Sequence, residues 1–212
     1  MRNYLKTFAY LLASIGISAA IAGSYEDFFV AVNRDDGDTV SSLLQRGFDP
    51  NSRNPDGQTA LHLALRDQSP RTANALWRST DLDINALNAA GETPLMLAAL
   101  KGDTEWATRL LNRGARLHQD GWSPVLYAAA GPEVKLLQLL IERGAPINAR
   151  SPNGTTPLMM AARYGTADSV EYLLARGADK ALKNDLGLDA ADFAKSGGKD
   201  FLVERLRAAS VR

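Results

Sequence analysis

Cysteine is absent from this chain of 212 residues, and only two histidines are present. Without cysteine there are no disulfide bonds and no thiolate chemistry, and two separate histidines give no zinc-ligand pattern. The phosphate-loop, H-E-x-x-H and G-x-S-x-G motifs are also missing. We therefore expect no metal, no cofactor and no enzymatic activity. The alternative is that the chain is an enzyme, in which polar groups near His118 and Trp122 act together.

Excess charge of either sign is also absent, because 24 basic residues balance 24 acidic ones. A chain without a basic excess has no general attraction to nucleic acid or to an anionic membrane. Partners of those two classes are therefore not expected.

Long hydrophobic runs are missing except at the N-terminus, where an uncharged stretch runs from Thr7 to Ala22 behind Arg2 and Lys6. A basic start, an apolar middle and a small-x-small end are typical of a secretory signal peptide. We predict a cleaved signal over residues 1–22 and a periplasmic location. The run of about 16 residues is short of the roughly 20 that span a bilayer. An uncleaved anchor, with the chain held at the inner membrane and facing the periplasm, is the alternative.

Glycine, in contrast, recurs with a period of about 33 residues, which indicates a repeat architecture. The repeat glycines are Gly57, Gly91, Gly121, Gly154 and Gly187. A hydroxyl residue follows two positions after the first four of them, at Thr59, Thr93, Ser123 and Thr156. The last three hydroxyl residues precede a proline, and this pair predicts a helix N-cap with proline at the first helical position.

A second helix is predicted in each repeat from leucines at a constant distance, 17 residues after the hydroxyl. These leucines are Leu76, Leu110, Leu140 and Leu173. Glycines that suit a helix C-terminus follow most of the second helices, at Gly47, Gly114, Gly144 and Gly177. Each repeat thus reads as two helices followed by a loop.

The pattern G-x-T-P-L-x-x-A-A, then L-L-x-x-G-A, resembles the ankyrin repeat over roughly residues 24–207. The resemblance implies an all-α solenoid of stacked antiparallel helix pairs with hairpin-like loops. It implies capping repeats at 24–55 and 185–212, which enclose repeats at 56–89, 90–119 (with a shortened hairpin), 120–152 and 153–184. It also implies that His62 is a structural residue bonded to neighbouring backbone.

The resemblance further implies a concave protein-binding surface made of hairpin tips and exposed first-helix positions. The residues that directly follow the repeat glycines are Gln58, Glu92, Trp122 and Thr155. Those at the ends of the first helices are Arg66, Lys101, Arg163 and Tyr164, and those in the loops are Arg150 and Lys183. Trp122 is the strongest candidate, because interfaces favour tryptophan as an anchor. The alternative is that its indole packs across the shortened neighbouring hairpin.

These observations together predict an exported bacterial ankyrin-repeat protein. We expect a monomeric, non-catalytic module that presents its concave surface to a protein partner in the periplasm. The alternative is an accessory or inhibitory subunit of a periplasmic enzyme, such as an oxidative-defence enzyme or a toxin.

Overall fold

The computed structural model describes residues 23–208, so the predicted signal peptide over 1–22 lies outside the described residues. Within that range the chain forms twelve helices and no strand. They are α1 (23–33), α2 (Gly37–Gln45), α3 (Ala60–Arg66), α4 (Pro70–Trp77), α5 (Pro94–Lys101), α6 (Thr104–Asn112), α7 (Pro124–Ala130), α8 (Val134–Glu142), α9 (Pro157–Arg163), α10 (Ala167–Ala175), α11 (Ala190–Ser196) and α12 (Asp200–Arg207). The prediction of an all-α repeat fold is confirmed.

Two compact units make up the chain, one ending at Asp83 and the other beginning at Ile84. In the first unit, α2 and α3 both pack against α4. In the second unit, the first helices α5, α7, α9 and α11 stack in chain order, and each also packs against the helix that follows it. Neighbouring second helices contact one another as well, α6 with α8 and α8 with α10.

The first helices begin at the predicted hydroxyl residues. Thr59, Thr93, Ser123 and Thr156 are the N-caps of α3, α5, α7 and α9, and proline occupies the start of the last three helices. The Thr93 and Thr156 hydroxyls accept hydrogen bonds from the backbone N–H groups of Met96 and Met159. Each cap therefore satisfies one of the N–H groups that a helix start leaves without an intrahelical acceptor.

In α3, α5 and α9 the third residue of the helix makes a second contact with the cap, and its identity varies. In α3 the Nδ1 atom of His62 lies 2.7 Å from the Thr59 hydroxyl and accepts the Thr59 backbone N–H at 3.3 Å. In α5 and α9 the methionine sulfur accepts the corresponding N–H at 3.4 Å. His62 is fully buried, so the structural role that the resemblance implies for this histidine agrees with its contacts.

The leucines at constant spacing form the centre of the core. Leu76, Leu110, Leu140 and Leu173 each have 0% of their surface exposed. The chain then turns through a glycine with positive φ after α2, α6, α8 and α10, at Gly47, Gly114, Gly144 and Gly177. These positive φ values are the left-handed conformation that ends a helix and that glycine adopts without strain.

Candidate functional site

The predicted site residues fall in both units, and each unit is taken separately. In the first unit the Arg66 guanidinium donates two hydrogen bonds of 2.8 Å to the Asp67 carboxylate. A third donor of Arg66 reaches the side-chain oxygen of Gln58 at 3.0 Å. The hydrogen bonds to Asp67 raise the pKa of Arg66. The structure thus brings Arg66 and Gln58 together, but it directs their polar groups toward each other and Asp67.

In the second unit, Thr155 departs from the expectation. Its side chain is buried, with 3% of the residue exposed. The Thr155 backbone N–H donates to the Ser151 hydroxyl at 2.9 Å, and its carbonyl accepts the Ser151 N–H at 3.0 Å. These bonds close the loop that precedes α9 and turn Thr155 inward. The expectation that Thr155 faces a partner is therefore wrong.

Trp122 belongs to a small aromatic cluster that includes a residue the sequence reasoning missed. Its ring meets the ring of Tyr127 edge to face, with centroids 6.2 Å apart and an angle of 84°. This arrangement is one of the favoured geometries for aromatic pairs. Tyr127 lies four positions after the Ser123 cap, on the same helical face as Ala130. That offset from the cap is the signal that could have identified Tyr127.

Glu92 fixes this cluster in place. One carboxylate oxygen accepts the Tyr127 hydroxyl at 2.9 Å, and the other accepts the Asn88 side-chain amide at 2.7 Å. Burial of the phenol, reinforced by the bond to Glu92, raises the pKa of Tyr127. Trp122 is half-buried. It therefore stays partly exposed while it packs against Tyr127, which Glu92 holds in place. The structure therefore joins two predicted residues, Glu92 and Trp122, through Tyr127.

Lys101, Arg163 and Tyr164 lie at the C-terminal ends of α5 and α9, and all three are exposed. The Arg163 guanidinium carbon lies 5.0 Å from the centre of the Tyr164 ring, in a cation–π contact. Among the described residues, neither Lys101 nor Arg163 forms an ion pair with a carboxylate. These two predicted residues therefore keep their charge available to a ligand.

Two glycines hold these helix ends side by side. A Cβ atom on Gly131, which follows α7, would lie 2.7 Å from the Ala99 carbonyl oxygen of α5. A Cβ atom on Gly165, which follows α9, would lie 2.1 Å from the Ala129 carbonyl oxygen of α7. Because only glycine permits so close an approach, the ends of α5, α7 and α9 form one continuous surface. We define the α5–α9 surface as Leu100, Lys101, Ala130, Arg163 and Tyr164.

The two predicted loop residues contact each other through one side chain. The Arg150 guanidinium donates to the Lys183 carbonyl oxygen at 2.9 Å. Both residues are exposed, and the Lys183 ammonium makes no ion pair among the described residues. This bond links the loop before α9 to the loop before α11.

Between residues 23 and 208 no group of three or more His, Asp or Glu side chains could hold a metal ion. None of the described helices is long and apolar enough to cross a membrane. His118 is exposed.

Comparison with known proteins gives a consistent result. A family model described as "Ankyrin repeats (3 copies)" matches residues 28–119 and 102–184. The chain is 34% identical over 154 residues to the B-cell lymphoma 3 protein homolog of Mus musculus, covering 69% of this chain and 34% of that protein. It is 29% identical over 181 residues to protein glp-1 of Caenorhabditis elegans, covering 78% and 14%. It is 37% identical over 148 residues to the human neurogenic locus notch homolog protein 4, covering 62% and 7%. The chain thus spans about a third or less of the length of these curated relatives.

Proposed function

Because the chain belongs to the ankyrin-repeat family, whose repeats bind protein partners, we propose that it is a non-catalytic protein-binding module exported to the periplasm. The observation that carries the binding proposal is the anchored aromatic pair of Trp122 and Tyr127. A half-exposed indole on a fixed support loses little conformational freedom on binding, and tryptophan is among the residues that dominate interface energies.

The second unit supplies the neighbouring contacts. The exposed ends of α5 and α9 lie beside the end of α7, the helix that carries Tyr127. An interface of ordinary size, about 1,200–2,000 Å² in total, would cover these helix ends together with Trp122. The partner is proposed to be a protein because the surface combines apolar and charged groups and the described residues hold no metal cluster.

Export is proposed from residues 1–22 alone, whose basic start, apolar run and Ala20-Ile21-Ala22 end are those of a signal peptide. The binding proposal does not depend on export, and the two are tested separately.

The binding proposal predicts that Trp122→Ala weakens the complex with the natural partner by about 2 kcal/mol, or about 30-fold in Kd, because it removes a central aromatic anchor. The partner is first captured by cross-linking in the source cells and then purified. Its affinity for the wild-type protein and for the variant is measured by calorimetry.

Phe201→Ala is the matched control, since Phe201 is also an exposed aromatic residue, 65% exposed on α12. Its affinity should equal that of the wild type. Equal affinities for the wild type and Trp122→Ala would remove the indole from the interface and with it the support for the proposed site.

A further inference from the structure

We infer that the partner binds the α5–α9 surface through an acidic segment, in which a large apolar side chain stands between two carboxylates. This inference rests on the proposed function and specifies the chemistry of its partner.

Charge pairing differs between helix ends in this unit. Three arginines on or just after the second helices are paired with glutamates: Arg109 with Glu105, Arg176 with Glu142, and Arg205 with Glu171. In contrast, Lys101 and Arg163, at the ends of the first helices, have no carboxylate partner among the described residues. Positive charge left unpaired within the chain favours a partner that carries negative charge.

Arg163 is also prepared for this role by Tyr164. An arginine that stacks on an aromatic ring keeps its in-plane N–H donors free, and those donors match a carboxylate in a two-bond arrangement. In the first unit, the equivalent arginine is Arg66, seven residues after its cap as Arg163 is after Thr156. There the next residue is Asp67, which occupies the donors at 2.8 Å. With Tyr164 in place of that aspartate, the Arg163 guanidinium has no carboxylate acceptor between residues 23 and 208.

The middle of the surface carries small side chains. Between the ends of α5 and α9 lie Ala130 and Gly131 at the end of α7, and the next residues, Pro132 and Glu133, pack against Gly102. Leu100 is 39% exposed and Tyr164 is 56% exposed, while Ala130 is half-buried. A small side chain between two larger, partly apolar neighbours leaves room for the partner's apolar side chain, and we call this position at Ala130 the depression.

The distance between α5 and α9 sets the length of the partner's segment. Packed helices lie about 8–10 Å apart, so α5 and α9 are separated by about 16–20 Å across α7. An extended chain advances about 3.3 Å per residue, and about five or six residues therefore cover this distance. The two acidic residues of the partner should stand about five or six positions apart, with the apolar residue between them.

The test uses a library of random twelve-residue peptides displayed on phage, selected on the full chain. We expect the enriched peptides to carry paired acidic residues around a large apolar one. A synthetic copy of the strongest peptide should bind at least about tenfold more weakly to Arg163→Glu and to Lys101→Glu. Its affinity should also fall as the salt concentration rises, since exposed charges are screened.

The matched control is Lys135→Glu, which reverses a lysine that is also exposed, on the second helix α8, and that also lacks an ion pair among the described residues. This variant should bind the peptide as the wild type does. Ala130→Phe fills the depression without changing charge and should also abolish binding, with an unchanged thermal melt as the check on folding.

Three outcomes would overturn the inference: enrichment of basic or uncharged peptides, equal weakening by Lys135→Glu and Arg163→Glu, or no enriched peptide at all. None of these would contradict the proposed function, because the Trp122→Ala measurement on the natural partner is independent of the library. Conversely, the affinity of the natural partner could be unchanged by Trp122→Ala. The acidic peptides selected from the library would then support binding at the α5–α9 surface, but not at Trp122.

Discussion

At the scale of single residues, the side chain three positions after a helix cap can accept the backbone N–H of the cap, and different residue types do so with different atoms. His62 uses a ring nitrogen, Met96 and Met159 use sulfur, and Asp192 uses a carboxylate that accepts the Asp189 N–H at 3.2 Å. The cap residues themselves were predictable from the hydroxyl–proline spacing. The side chain that accepts the N–H of the cap was not predictable. Methionine and leucine look equally apolar in a sequence, but only methionine can accept a hydrogen bond.

Leu126 shows the consequence of that difference. It occupies the same position in α7 and cannot accept the Ser123 backbone N–H as the methionine sulfurs accept theirs. The buried Ser123 hydroxyl also has no hydrogen-bond partner among residues 23–208. The helix still begins there, since Pro124 at its first position fixes φ for helix formation.

Tyr127 gives a prediction at this scale. Tyr127→Phe should lower the free energy of unfolding by about 1 kcal/mol at pH 7, because it removes the bond to Glu92. The pKa of Tyr127 in the folded protein is raised above its ordinary value of 10.0. The contribution of Tyr127 to the free energy of unfolding is therefore complete below pH 10. It decreases as the pH rises further, because the phenol ionises in the unfolded chain before it ionises in the folded protein. Urea unfolding of both proteins at pH 7 and at about pH 11 measures the difference.

Subtracting the variant from the wild type removes the titration of the other tyrosines and the lysines, which both proteins share. A difference in unfolding free energy that stays constant between the two pH values, or that increases, would contradict the raised pKa.

At the scale of helices, the second helices were predicted well because their apolar residues obey a fixed distance from the cap. Leu110 and Leu173 are both fully buried, as that spacing requires. Thr155 was misplaced because sequence spacing equates it with Gln58 and Glu92. The hydrogen bonds that Thr155 exchanges with Ser151, which turn it inward, depend on the loop geometry. The joining of α5, α7 and α9 at their ends also could not be predicted, since the close contact at Gly165 is between backbones of different repeats.

The core spacing leads to a quantitative prediction. Leu173→Ala should cost about 2–5 kcal/mol of unfolding free energy, because it leaves a cavity at a fully buried position. Leu174→Ala removes the same atoms from the adjacent, half-buried position of α10 and should cost distinctly less. Chemical denaturation of the two variants makes the comparison.

The order of the two losses is what matters in this comparison. If Leu173→Ala cost well under 1 kcal/mol, or less than Leu174→Ala, the assignment of Leu173 to the core would be contradicted.

At the scale of the whole molecule, the family and the all-α architecture were both predictable, since a period of about 33 residues with its caps and glycines is specific to this fold. The division into two compact units at Asp83 and Ile84 was not predicted, because it depends on the contacts between helices. The identity of a partner is not encoded in the repeat pattern, which specifies how the helices stack and leaves the exposed positions free to vary.

Export belongs to this scale too and predicts a defined mature chain. If residues 1–22 are removed after Ala22, the protein recovered from the periplasmic fraction begins at Gly23. Intact mass spectrometry of the natively expressed protein, combined with cell fractionation, measures both properties.

A full-length species in the membrane fraction would indicate that residues 1–22 are an uncleaved membrane anchor. The search for partners would then move to the inner-membrane surface. A full-length species in the cytoplasmic fraction would contradict export in either form.

The placement of methionine has a consequence for how this protein would respond to oxidants. Met96 and Met159, whose sulfurs accept backbone hydrogen bonds at the helix starts, have 0% and 1% of their surface exposed. Met160 is half-buried in α9, one turn before Tyr164, and is the most exposed of the three methionines in residues 23–208. Conversion of a thioether to a sulfoxide makes an apolar side chain polar. We expect oxidative damage to begin beside the α5–α9 surface, so that the protein would lose recognition of its partner before it loses its fold.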